Sequence, residues 1–200
     1  MRRSLKLLLP IIVLISVLAL SVVGSGRRSN NGELSNLNRA GAVEVAEPAV
    51  YLDALGIIPP TEDIEAIDFT VTTLNGKTEQ LSDHEGKVIF LNFWATWCGP
   101  CRAEVKDIDS LYGTLKEEEF MVMALSIQEE KKKVSKFMKN FDIDFPVYLD
   151  SDGAVATKYG VTGIPTTYII APDGKIVGRA IGPREWASQD SIDLMRSLMN

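Results

Sequence analysis

The chain has two cysteines and one histidine in 200 residues. Zinc sites use four ligands, usually Cys or His, so this inventory excludes an ordinary zinc centre. The histidine, His84, lies in the loop-like stretch Ser82-Asp83-His84-Glu85-Gly86. Basic charge is scarce beyond the start of the chain. The first 28 residues hold five basic and no acidic residues, which leaves 16 basic and 27 acidic in the remainder, a net of −11. So acidic a body repels phosphate backbones, and nucleic acid is excluded as a partner. No internal repeat is present, which excludes a solenoid. Polar residues are nearly missing from Leu7 to Val23, where only Pro10, Ser16 and Ser21 interrupt an apolar run. No cysteine comes after that run until Cys98, so lipoprotein processing is excluded.

The apolar run is preceded by Arg2, Arg3 and Lys6, basic residues that hold a short N-terminus in the cytoplasm. Residues 1–26 therefore read as a signal anchor. A removable signal peptide, cut near Gly24-Ser25-Gly26, is the alternative. Either reading exports the body of the protein, and as an anchor residues 7–23 would cross the membrane once. Residues 27–60 read as a tether: Arg27 to Asn38 is rich in Ser, Asn and Gly, and Pro48, Pro59 and Pro60 punctuate its second half. A short helix is an option over 49–58. The folded domain is expected over 61–200.

From Ile67 the pattern becomes regular. Phe69 to Thr73 alternates as a strand, Asn75-Gly76 signals a hairpin turn, and Lys77 to Leu81 returns. Lys87 to Phe93 is continuously apolar, as for a strand buried on both faces. Pro100 to about Leu115 carries Val105, Ile108, Leu111, Tyr112 and Leu115 at helical spacing. Phe120 to Ile127 is a second buried strand. Val134, Phe137, Met138 and Phe141 form the packing face of another helix, and Lys131-Lys132-Lys133 after Glu129-Glu130 reads as a solvated face with i,i+4 pairing. Phe145 to Leu149 is a strand and Gly153 to Tyr159 a short helix. Thr166 to Ala171 and Ile176 to Ile181 flank the turn Pro172-Asp173-Gly174, and a helix from Glu185 or Trp186 to Met199 closes the chain. Strands alternating with helices, then a hairpin and a final helix, imply a three-layer α/β sandwich around a mixed sheet.

Both cysteines sit in Trp97-Cys98-Gly99-Pro100-Cys101, just past the buried strand that ends near Trp94. A strand, a tight turn and a helix place Cys98 at a helix N-terminus. There, unpaired N–H groups and the macrodipole favour a thiolate. A second thiol one turn away makes dithiol–disulfide exchange the natural chemistry. A purely stabilising bridge is a weak alternative, because closing so small a loop removes little chain entropy.

The motif Phe-Trp-Ala-Thr-Trp-Cys-Gly-Pro-Cys at 93–101, the segment Gly163-Ile164-Pro165-Thr166-Thr167 and the order of elements resemble thioredoxin. The closer similarity is to the membrane-anchored, exported TlpA/ResA type of thioredoxin-like thiol–disulfide oxidoreductase. Its opening hairpin ends in Leu-Ser-x-x-x-Gly-Lys, here Leu81 to Lys87, and its central strand–helix insertion corresponds to 128–150. The resemblance covers about 62–200. It implies a thioredoxin-like α/β/α sandwich, with Cys98 as the exposed attacking nucleophile and Cys101 as the resolving thiol. Pro165 is expected to be cis, turning the Ile164 backbone toward the cysteines to bind an extended substrate strand-wise. Trp97 is expected to form an apolar platform beside them.

Asn92 occupies the position where thioredoxin has a buried aspartate. Glu104, three residues past Cys101, matches a glutamate of the ResA branch, which implies an acid–base partner for Cys101; a surface glutamate favoured by the helix dipole is the other reading. Val105-Lys106 stands where many relatives carry a kinking proline, so a straighter helix is expected.

The resemblance further implies reduction of disulfide-containing exported proteins, apocytochrome c among them, with electrons from a membrane thiol donor. No cofactor is implied beyond a redox-active Cys98–Cys101 disulfide. Two other functions fit the residues less well. A copper-handling module would want a wider cysteine spacing and a histidine after the cysteines rather than before. A thiol peroxidase would want a proline ahead of the cysteine, which Trp94-Ala95-Thr96-Trp97-Cys98 lacks.

Overall fold

The computed structural model describes residues 47–199. The expected anchor, residues 7–23, and most of the expected tether lie outside them. Helix α1 (Pro48–Ala54) is followed by strands β1 (Thr70–Thr73) and β2 (Thr78–Gln80), then a short 3-10 turn at Leu81–His84. Next come β3 (Val88–Trp94), α2 (Gly99–Leu115), β4 (Phe120–Ile127), α3 (Lys131–Phe141) and β5 (Val147–Asp150). The chain closes with α4 (Ala154–Lys158), β6 (Thr166–Ile170), β7 (Ile176–Ile181) and α5 (Gln189–Leu198). The seven strands form one sheet in the order β2-β1-β5-β4-β3-β6-β7. β4 runs parallel to β3 and β5, and the other pairings are antiparallel. The fold is the thioredoxin-like α/β sandwich, with β5 and α3 as its central insertion.

β3 shows why the apolar run is continuous. All seven of its residues are buried, and successive side chains point to opposite faces. Val88, Phe90 and Trp94 join the core under α2, α3 and α5, whereas Ile89, Leu91 and Phe93 join the core under α4. Asn92 shares a face with Phe90 and Trp94, so the strand's one strongly polar side chain is aimed at α2.

Two boundaries differ from the sequence reading. The final helix starts at Gln189, capped by Ser188, whose side chain accepts from the Ser191 N–H. Trp186 lies ahead of it and is fully buried, edge-on to Phe90 at 4.8 Å. At the other end, residues 48–58, expected to lie within the tether, dock on the body. Leu52, Leu55 and Ile57 enter the core, and Ile58 pairs with Arg179 of β7. Apolar side chains a few residues apart bury area that a solvated linker would leave in water. A second bridge, Glu65 to Lys175 just ahead of β7, and the Ile176 N–H to Ile64 carbonyl bond continue this strap and cover what would otherwise be an open sheet edge.

Candidate active site

β3 ends at Trp94, and the chain turns through Ala95–Trp97, with the Cys98 N–H bonding the Ala95 carbonyl at 3.1 Å. Cys98 is the N-cap of α2, and its Sγ accepts the Cys101 N–H at 3.2 Å. Pro100 sits in the first turn, where its missing N–H leaves no bond unmade. Cys98 and Cys101 form a disulfide with Cα atoms 5.3 Å apart. On reduction, the same N-cap geometry would stabilise a Cys98 thiolate.

Opposite them the Ile164–Pro165 peptide is cis, and the Ile164 carbonyl oxygen lies 3.6 Å from Cys98 Sγ. A disulfide sulfur carries no proton, so this contact becomes a hydrogen bond only in the thiol form. Trp97 is 61% exposed beside the cysteines. Together with Ile164, Gly163, Thr157 and Gln128 it lines an open depression of about 270 Å³. Cys98 itself is 5% exposed and Cys101 1%. The expectation of an exposed nucleophile is therefore corrected: Cys98 is the more accessible of the pair, but it is sunk below the surface that Trp97 presents.

Glu104 is buried at 2% exposure, which removes the surface reading of this residue. Its Oε1 accepts from Asn92 Nδ2 at 3.2 Å, and its Oε2 from Trp186 Nε1 at 3.0 Å and the Arg184 N–H at 3.2 Å. Asn92 Nδ2 also donates to Thr167 Oγ1 at 2.9 Å across the β3–β6 register. Burial pushes the Glu104 carboxyl up to about 7, against the opposing effect of the Trp186, Arg184 and Asn92 donors and the Arg184 charge. A carboxyl balanced near neutrality, one turn beyond Cys101 on α2, can both accept and return a proton. The helix runs without interruption through Val105-Lys106.

Three partners of the site had no signal in the sequence. Trp186 and Arg184 reach Glu104 from more than 75 residues away. Arg184 also ties the end of α1 in place, donating Nε to the Leu55 carbonyl at 2.7 Å and an Nη to that of Gly56 at 3.0 Å. The third is Glu129, which read as part of a solvated charge run but is 5% exposed. It accepts the Thr96 N–H and Oγ1–H, both at 2.6 Å, and Ser126 Oγ at 3.0 Å, and it pairs with Lys133 at 2.7 Å. Burial works against the charge of Glu129, but the Lys133, Thr96 and Ser126 donors outweigh it and hold the carboxyl below its ordinary value. Glu129 thereby fixes the backbone two residues before Cys98. Among the described residues, no group of three or more His, Cys, Asp or Glu side chains could hold a metal ion.

A family model, AhpC/TSA, matches residues 63–179. The chain belongs to the AhpC/TSA family. Among curated members it is 42% identical over 113 residues to the thiol-disulfide oxidoreductase ResA of Bacillus thuringiensis subsp. konkukian, a match covering 56% of this chain and 65% of the relative. It is 41% identical over 117 residues to ResA of Bacillus subtilis, covering 58% and 65%. The chain thus spans just under two thirds of these relatives. Among solved structures, a thiol:disulfide interchange protein of the thioredoxin family from Chlorobium tepidum aligns with a TM-score of 0.62 and 28% identity, over 70% of this chain and 99% of that one. StoA from Bacillus subtilis aligns with a TM-score of 0.53 and 27% identity, over 60% and 90%.

Proposed function

We infer that the protein is a thiol–disulfide oxidoreductase acting on exported proteins outside the cytoplasmic membrane, to which residues 7–23 anchor it. The observation that carries this reading is the Cys98–Cys101 disulfide capping α2 against the Ile164 carbonyl. Relatives named thiol-disulfide oxidoreductase support it.

In the reducing direction, the Cys98 thiolate attacks one sulfur of a protein disulfide and the other leaves as a thiolate. Cys101 then loses its proton to Glu104 and attacks Cys98 Sγ. The Cys98–Cys101 bond forms, and the second substrate sulfur leaves as a thiolate. A membrane thiol donor returns two electrons to the pair, and apocytochrome c is among the substrates this reading admits. Trp97, Ile164 and Pro165 frame the mouth where an extended substrate segment lies against the site. Gly99-Pro100 between the cysteines favours the reductase direction, by likeness to reducing thioredoxins.

The test uses the full chain. Cys101→Ser should trap a mixed disulfide on Cys98 with exported proteins, and Cys98→Ser should trap none; equal trapping by both variants refutes the assignment. Equilibration against thiol buffers then gives the direction. A potential near or below about −250 mV fits a reductase, and one above about −180 mV an oxidase or isomerase. Protease added outside the membrane should degrade the domain if it faces outward.

A further inference from the structure

An open cleft of about 500 Å³ reaches Glu104 from the side of α1 and α5. Its lining includes Ala103 and Asp107 of α2, Arg184, Glu185 and Asp190, but none of Trp97, Cys98, Ile164 or Pro165. Glu104, itself buried, therefore borders an opening separate from the substrate mouth. The separation matters at one moment of the cycle. In the mixed disulfide the substrate covers the mouth, yet Cys101 must then lose a proton before it can attack.

Helix register supplies the path. Cys101, Glu104 and Asp107 succeed one another at i, i+3 and i+6, each step rising about 4.5 Å and turning about 60° around the helix, so that Glu104 neighbours both of the others. Exposure grows along that line: Cys101 and Glu104 are buried, and Asp107 is partly exposed. Resting on the exchange mechanism above, we propose that this cleft is the proton exit of the resolving step, with Asp107 passing the proton from Glu104 to bulk water.

The step balances. The Cys101 proton moves to Glu104, the Cys101–Cys98 bond forms as the Cys98–substrate bond breaks, and the electron pair leaves on the substrate sulfur. Glu104 is reset when its proton crosses the cleft to Asp107 and on to water. Asp107 suits this hand-over, because partial burial and the neighbouring Glu185 carboxylate both raise its affinity for a proton. Glu185 and Asp190 face it from the β7–α5 segment and α5, with Arg184 as the cation. α1 contributes only Ala54 and Leu55, neither of which titrates, and Lys106 is turned away to the Asp142 carbonyl at 2.9 Å.

The test monitors oxidation of the reduced full chain by dithiobis-nitrobenzoate in a stopped-flow instrument. One coloured thiolate leaves when Cys98 attacks, and a second when Cys101 closes the ring. Asp107→Asn should leave the first phase unchanged and slow the second about tenfold in dilute buffer, short of the 10²–10⁴ of a full acid–base group. Added imidazole, a diffusible proton carrier, should restore it. Ala103→Trp, which narrows the cleft with Asp107 intact, should reproduce the slow phase. A second phase in Asp107→Asn as fast as in the parent, or slow but indifferent to imidazole, overturns the relay. If it does so while Glu104→Gln still slows that phase, the exchange mechanism stands and only the exit route is lost. A parent chain that releases no second thiolate defeats both.

Discussion

Trp186 Nε1 donates a 3.0 Å hydrogen bond to Glu104 Oε2 across 82 residues of sequence. The indole is fully buried and packs edge-on against Phe90, so the donor cannot swing away to water. With the Arg184 N–H on the same oxygen and Asn92 on the other, the carboxyl is held in one orientation one helical turn from Cys101. Burial alone would favour the neutral acid, and the three donors favour the anion. The balance leaves Glu104 titrating near neutrality.

That balance makes stability depend on pH in a defined direction. The folded value is about 7 and the ordinary value 4.5. Below both, the carboxyl is protonated whether the chain is folded or not. Between them the unfolded chain gives up its proton first, so the native state weakens as pH rises across this window. Urea unfolding of the oxidised protein should lose about 3 kcal/mol between these limits. Glu104→Gln should flatten the curve there; parallel curves for parent and variant would rule out Glu104 as the source.

Glu129 should behave in the opposite sense. Its folded value is lowered from 4.5, so its contribution is present above that pH and lost as pH falls through the folded value. Glu129→Gln puts an amide N–H₂ among donors that need an acceptor and should destabilise by about 2–4 kcal/mol. Lys133→Ala removes a partner that is 55% exposed and should cost less than about 1 kcal/mol. Urea midpoints of the two variants compare them directly, and equal losses would mean that the ion pair, rather than the Thr96 and Ser126 bonds, sustains the turn.

Gly178 marks where the strap meets β7. A Cβ there would lie 2.6 Å from Ile57 Cγ2 and 3.3 Å from the Ile58 carbonyl oxygen. Ile57 is 3% exposed and has little room to retreat. Gly178→Ala should destabilise by about 1–3 kcal/mol. It should also speed hydrogen exchange at the Ile57 and Ile58 amides, which now bond the Leu52 and Arg179 carbonyls. Unchanged exchange at both amides would show that the strap is held independently of this contact.

What the amino-acid sequence determined by itself was local. Trp97-Cys98-Gly99-Pro100-Cys101 names the chemistry, because a cysteine pair one turn apart at a helix start needs no distant partner to be recognised. The continuous apolar run of β3 foretold its burial on both faces, since the strand period exposes each face to alternate residues. Helical spacing of Val105, Ile108, Leu111 and Leu115 located α2. What failed were charges and ends. Glu129 sits beside three lysines and looked solvated, and residues 48–58, bounded by Pro48 and Pro59-Pro60, looked like a linker. Only the tertiary structure decided where these groups and Glu104 lie in the dielectric of the protein. Trp186, Arg184 and Thr96 come to them through strand register and helix packing over tens of residues. No local pattern encodes such distances, because burial and hydrogen-bond partnership belong to the assembled core and not to the segment that enters it.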